Sequence, residues 1–169
     1  MLTKKLVKMM TIATVAGVCL LSTPAGATTV GPDEGCTPGY WKNHTASWQE
    51  YVPTTPLSHL FTFPAAVSTF QSETMLTALN GGGGPGLNGA TTILLRAATA
   101  AYLNAAHDSI GYPLRRLLPS PFQPWASDPR FANGIHGAVN DALASLDRNT
   151  ILALATTLDN ANNLGCPLN

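Results

Sequence analysis

The sequence predicts an all-α fold: a small bundle of about four main helices, led by an irregular aromatic- and Pro-rich segment and closed by one disulfide. Three observations lead there. Stretches rich in Ala and Leu place apolar residues at helical i, i+3, i+4 spacing. No run alternates apolar and polar residues over several positions, as a half-buried strand would. Cys36 and Cys166 stand near the two ends of what an export signal would leave behind.

The chain opens with features of a secretory signal over residues 1–27. Lys4, Lys5 and Lys8 make a basic start, an apolar stretch follows, and Ala25-Gly26-Ala27 forms the cleavage site. The apolar stretch, 9–21, is too short to cross a hydrocarbon layer of ~30 Å. Cys19 lies inside that stretch after Val18, which does not suit a lipid anchor. Cleavage after Ala27 of the 169-residue chain leaves 142 residues, with 28–35 as a short tether and 36–169 as a single helical domain. Cys19 departs, so an odd cysteine count becomes even, which in an oxidising compartment favours a Cys36–Cys166 disulfide. Two free buried thiols or a metal pair are the alternatives, and two cysteines without ligand spacing suit metal poorly.

Residues 36–70 hold Pro38, Pro53, Pro56 and Pro64 among Trp41, Trp48, Tyr51, Phe61, Phe63 and Phe70. Prolines at that density prevent long helices, so short turns wrapped over a core are expected. Ser72 is a candidate cap for a short helix ending at Leu79, stopped by Asn80 and the glycines at 81–84. No Gly-Lys-Ser/Thr follows those glycines and no strand precedes them, so they read as an inter-helix loop rather than a phosphate cradle. The clearest helix covers 90–106, with Ile93, Leu94, Ala97, Ala101 and Ala105 on one face and Gly111 and Pro113 ending it. A proline-rich connector over 119–129 carries Phe122 and Trp125. A third helix is expected over 130–146, with Ile135, Val139, Ala142, Leu143 and Leu146 inward. Asp147 caps a fourth, striped by Ile151, Leu154, Ala155 and Leu158, and Gly165 serves as its stop. Arg96 interrupts the strongest helix, and an ion pair with Asp141, Asp147 or Asp159 is expected.

The run Cys36-Thr37-Pro38-Gly39-Tyr40-Trp41-Lys42-Asn43-His44, followed by Trp48, resembles the opening of an uncharacterised group of secreted bacterial domains of actinobacterial type. The likeness continues through Leu76-Thr77-Ala78-Leu79, Leu95-Arg96-Ala97-Ala98, Leu103-Asn104-Ala105-Ala106, Tyr112-Pro113 and Asp147-Arg148-Asn149-Thr150. It closes with Asn162-Asn163 and Cys166-Pro167-Leu168, and thins between about 114 and 134. Members of that group occur as single secreted proteins and as modules of larger surface proteins. The resemblance implies location and fold and assigns no activity.

Function is read from what remains. With the three leader lysines gone, nine basic residues become six against nine acids, a formal charge of −3. That argues against nucleic acid and anionic membranes as partners, and beyond residue 27 no apolar run reaches membrane length. Tyr40, Trp41, Lys42 and His44 combine aromatic faces with a cation and an imidazole, suited to stacking on a sugar ring or gripping a carboxylate. The competing reading makes the same aromatics a structural plug beside the disulfide. Neither a metal centre nor a cofactor is expected: His44, His59, His107 and His136 are scattered, and no alternating oxygen ligands surround Asp33-Glu34. Asn43-His44-Thr45 is formally a glycosylation acceptor, which a bacterial context leaves unused.

Two enzyme readings stand beside these. His107-Asp108-x-x-Gly111-Tyr112 resembles the His-Asp pair of small helical, calcium-dependent bacterial phospholipases, which implies His107 as base and Asp108 as calcium ligand. No cysteine precedes His107, Pro113 follows closely, and no glycine-rich calcium loop lies upstream, so a plain helix end is the other reading. A wall-degrading glycan hydrolase would need a buried acid, for which Glu50 between Trp48 and Tyr51 is the candidate. The expectation is a secreted, non-enzymatic recognition or structural module with an extracellular or cell-surface partner, a secreted hydrolase being the alternative. A cleft joining His107 to two or more acids would favour the hydrolase, and a solid core under Trp41 and Trp48 the module.

Overall fold

Residues 33–119 and 125–169 are described by a computed structural model of the chain. The expected signal over 1–27, residues 28–32 of the tether and Phe122 of the connector lie outside them. The described residues form five α-helices and several 3-10 turns and contain no strand, only isolated bridges at Gly35–Gly165 and Pro56–Thr74.

Helix α1, Pro38–Asn43, follows Thr37, whose side chain accepts from the Tyr40 amide, and Pro38 supplies a preset φ where no amide is needed. Short 3-10 turns at Thr45–Ser47, Leu57–His59 and Ala65–Ser72 then carry the chain over the core, as the proline spacing predicts. Helix α2, Met75–Leu79, is capped by Thr74, not by Ser72. Ser72 closes the preceding 3-10 segment, and Thr74 is held extended by its bridge to Pro56, so helical geometry starts two residues later than expected.

Helix α3, Gly86–Ala106, begins four residues before the expected start, behind Pro85, and ends at His107, ahead of Gly111 and Pro113. It is central. Ala90, Leu94, Leu95, Ala98, Ala101 and Tyr102 are all buried, so apolar residues surround most of its circumference. Ile93 and Ala105, expected inward, are partly exposed. The 81–84 loop lies against this helix: a Cβ on Gly81 would stand 2.6 Å from Thr92 Cγ2. Arg96 makes none of the expected ion pairs; its Nη1 donates to the Gly81 carbonyl at 3.4 Å.

Helix α4, Gly134–Ser145, starts four residues after the expected point, because Pro129–Phe131 forms a separate 3-10 turn capped by Asp128. Its free first-turn amides are satisfied by main chain from another segment: Ile135 N donates to Arg115 O (2.8 Å) and His136 N to Arg116 O (2.9 Å). Gly134 has φ +66°, and a Cβ there would sit 2.6 Å from both carbonyl oxygens, so only glycine admits the clamp. Leu146 ends α4 in the left-handed region (φ 52°) and is 43% exposed rather than inward. Helix α5, Arg148–Asn162, is capped by Asp147 as expected, with Thr150 N donating to it at 2.7 Å, and its stripe Ile151, Leu154, Ala155 and Leu158 is buried. Packing of α3 on α5 is the largest helix contact, and the alanines of α3 allow it.

Cys36 and Cys166 are disulfide-bonded across a separation of 130 residues, with Cα atoms 4.4 Å apart. Gly35 N donates to Gly165 O (2.9 Å) beside the bond. Gly165 (φ +115°) serves this closure rather than stopping α5, which Asn163 caps. Closing so long a ring removes unfolded-state entropy equivalent to about 5 kcal/mol, an upper-end figure. Replacing both cysteines by serine is expected to lower unfolding free energy by up to about 5 kcal/mol with helix content retained at low denaturant. Urea melts followed by circular dichroism check this; an unchanged midpoint would contradict it.

Candidate functional site

The expected contact patch divides on folding. Trp41 is fully buried and donates from Nε1 to Asn104 Oδ1 at 3.1 Å, so no partner can stack on it and it leaves the patch. Tyr40 is half-buried, edge-on to Trp41, and its ring face is covered by His44 at 4.2 Å and 11°. His44 Nδ1 in turn donates to the Tyr40 carbonyl at 2.9 Å. Lys42 and the outer side of His44 are exposed. Trp48, half-buried, donates to the Trp41 carbonyl at 3.0 Å. The aromatic knot therefore plugs the core, while Tyr40 and His44 line a shallow hollow of about 410 Å³ beside Cys166.

Asn104 and Asn162, both wholly buried, organise what lies beneath. Asn104 Oδ1 accepts from Cys36 N (2.8 Å) and from Trp41, while its Nδ2 donates to Cys36 O (2.9 Å) and Asn162 Oδ1 (3.0 Å). Asn162 also accepts from Tyr112 Oη (2.8 Å) and donates to Ala97 O (2.9 Å). Burial, aided by the nearby charge of Asp159, pushes the Tyr112 phenol well up and keeps it a donor. One bond joins the two amides, and the four bonds of Asn104 use its full donor and acceptor capacity.

The hydrolase candidates do not assemble. His107 caps α3, its ring tilted against Trp41 at 5.9 Å, and its Nδ1 accepts from Ser109 N at 3.2 Å. Asp108 is exposed and its amide donates to Gln49. Among the described residues, no group of three His, Cys, Asp or Glu side chains is placed to hold a metal ion. Glu34 accepts from Gly111 N at 2.7 Å. Glu50 is exposed and ion-paired, not buried in an apolar pocket.

A cleft of about 680 Å³ lies elsewhere, and no motif or spacing in the sequence points to it. Arg116 sits in one wall. Its Nη1 donates to Glu50 Oε2 (2.6 Å) and Tyr51 Oη (2.9 Å), and its Nη2 donates to Glu50 Oε1 (3.0 Å). Those bonds, that to Glu50 foremost, raise the guanidinium pKa against partial burial. The pair is partly exposed (28% and 52%), so it adds no more than about 1 kcal/mol of stability; its consequence is positional. Glu50 has φ 62°, a costly conformation for a non-glycine residue, held where its carboxylate meets Arg116. Also in the lining, His136 donates from Nδ1 to Leu60 O (2.8 Å) and accepts at Nε2 from Asn140 Nδ2 (2.9 Å), whose Oδ1 takes the Thr62 amide (2.9 Å). Arg115, Leu117, Leu118, His59 and Tyr102 complete the walls.

No protein-family model matches the chain, and neither the curated proteins nor the solved structures contain a match to it.

Asn104→Leu is expected to destabilise the protein by about 3–5 kcal/mol, because Cys36 N, Cys36 O, Trp41 Nε1 and Asn162 all lose a buried partner at 1–3 kcal/mol for each unsatisfied group, less relaxation. Chemical denaturation measures it, and a loss below about 1 kcal/mol would contradict the network's role. His107 yields a second expectation. Burial lowers its pKa below the ordinary 6.5, with Asp108 opposing in part, so the folded ring takes up a proton less readily than the unfolded one. Its contribution is therefore complete above about pH 6.5 and is lost as pH falls below that value. Melting-temperature profiles should decline less steeply below pH 6.5 in His107→Gln than in the parent; parallel profiles would refute this.

Proposed function

We propose that the chain is an exported, non-enzymatic recognition domain that works outside the cell or on its surface, with the Arg115–Arg116 cleft as its principal contact site. The leader-like start, the single disulfide and the likeness of its opening and closing motifs to secreted actinobacterial-type domains support export. Tyr40, Lys42 and His44 form a secondary contact edge, without Trp41.

One observation carries the choice of binding over catalysis. Two of the acid–base groups of the cleft are committed: both oxygens of Glu50 are held by Arg116, and both ring nitrogens of His136 are engaged by Leu60 and Asn140, which leaves His59 as the exposed imidazole of the lining. Among the described residues Glu50 is the only carboxylate in the lining, and no second acid lines it beside His59. Hydrolysis needs an acid or base free to exchange a proton with substrate, whereas recognition needs fixed donors and shaped walls. The cleft offers the second set.

Mature protein starting at Thr28 is expected to co-sediment saturably with purified bacterial cell wall and to release no fatty acid from phospholipid, with or without Ca²⁺. Calcium-dependent fatty-acid release, abolished by His107→Gln, would reverse the assignment in favour of the hydrolase.

A further inference from the structure

The lining of the cleft is chemically lopsided. Arg115 is exposed at its edge and makes no ion pair among the described residues. Glu50, the sole acid among the described residues of the lining, is already neutralised by Arg116. One positive charge is therefore left over, beside Tyr102, whose hydroxyl has no hydrogen-bond partner among the described residues and which burial keeps protonated as a donor. Immediately after the arginines come Leu117 and Leu118, 66% and 65% exposed, the two most exposed large apolar side chains described. They cost free energy in water and adjoin the unpaired cation. The carbonyls of Arg115 and Arg116 are fixed to the first turn of α4, so this cation–leucine arrangement is anchored at its base.

Resting on the recognition reading above, we propose that the cleft binds a small amphiphilic anion: a carboxylate or phosphate carried on an apolar chain, with the headgroup on Arg115 and the chain against Leu60, Leu117 and Leu118. A guanidinium favours both headgroups through paired, charge-assisted hydrogen bonds. A neutral sugar would leave the surplus charge unanswered, and a bare inorganic anion would leave the leucines in water. A volume of about 680 Å³ falls within the range of small-ligand sites.

The test is calorimetric titration of the mature protein with octanoate, octyl phosphate, acetate, inorganic phosphate and octyl glucoside, all below micellar concentrations. Both octyl anions should bind, and acetate, inorganic phosphate and octyl glucoside should bind roughly ten- to a hundredfold more weakly. Arg115→Gln should weaken the octyl anions by a similar factor and leave octyl glucoside unchanged, whereas Leu117→Ser with Leu118→Ser should weaken every octyl compound. Circular dichroism confirms that each variant is folded. Equal affinity for octanoate and octyl glucoside, or indifference of the anions to Arg115→Gln, overturns the proposal. Binding to phosphatidylcholine vesicles that persists in Arg115→Gln also overturns it, assigning the leucines to a lipid surface. The same samples are sedimented with cell wall: wall binding without octanoate binding rejects the ligand class alone, and octanoate binding without wall binding rejects the wall as the target.

Discussion

Asn104 is the residue on which the architecture turns. From the last turn of the most buried helix it holds both main-chain polar groups of Cys36 and the indole of Trp41, and it passes a further hydrogen bond to Asn162 at the end of α5. An amide sealed in an apolar core is costly unless every donor and acceptor is met, and here all are. The pattern is completed with the disulfide-bearing segment, α3 and α5 in their observed register. Hydrophobic burial supplies the drive to collapse; the two asparagines select which collapsed state is native.

The same division of labour recurs at the cleft, where polar contacts set geometry and contribute little net stability. The main chain at Arg115 and Arg116 substitutes for a side-chain cap on α4, with Gly134 making room. The guanidinium of Arg116 is then held by Glu50 and Tyr51, and α4 is tied to the 60–62 stretch through His136 and Asn140. Four separate stretches of chain are thus locked around one concavity. Pre-set walls spare a ligand the entropy of ordering them.

What the sequence disclosed follows the range of each interaction. Asp147 was legible because a cap is local: its acceptor meets the amide of Thr150, three residues on. The α5 stripe was legible for the same reason. Ser72 misled because it and Thr74 are equally good caps by type, and the bridge to Pro56 that selects Thr74 is not local. Leu146 misled because the helical period continues through it while the backbone turns left-handed. The cleft was invisible: Glu50 and Arg116 are 66 positions apart, and no spacing rule joins them. Asn104, Tyr112 and Asn162 lie 8 to 58 positions apart in the sequence, and no local pattern reveals that they form one hydrogen-bonded network.

The clasp at the chain ends has a mechanical consequence. With Cys36 and Cys166 joined, a load applied through the two termini passes across the sulfur–sulfur bond and bypasses the helices. The 130-residue separation, which would otherwise pay out roughly 450 Å of extended chain, contributes almost nothing to extension while the bond is intact. Tethered between two anchors, such a unit is inextensible, and the cleft keeps its shape under tension that would unravel an open chain of the same composition.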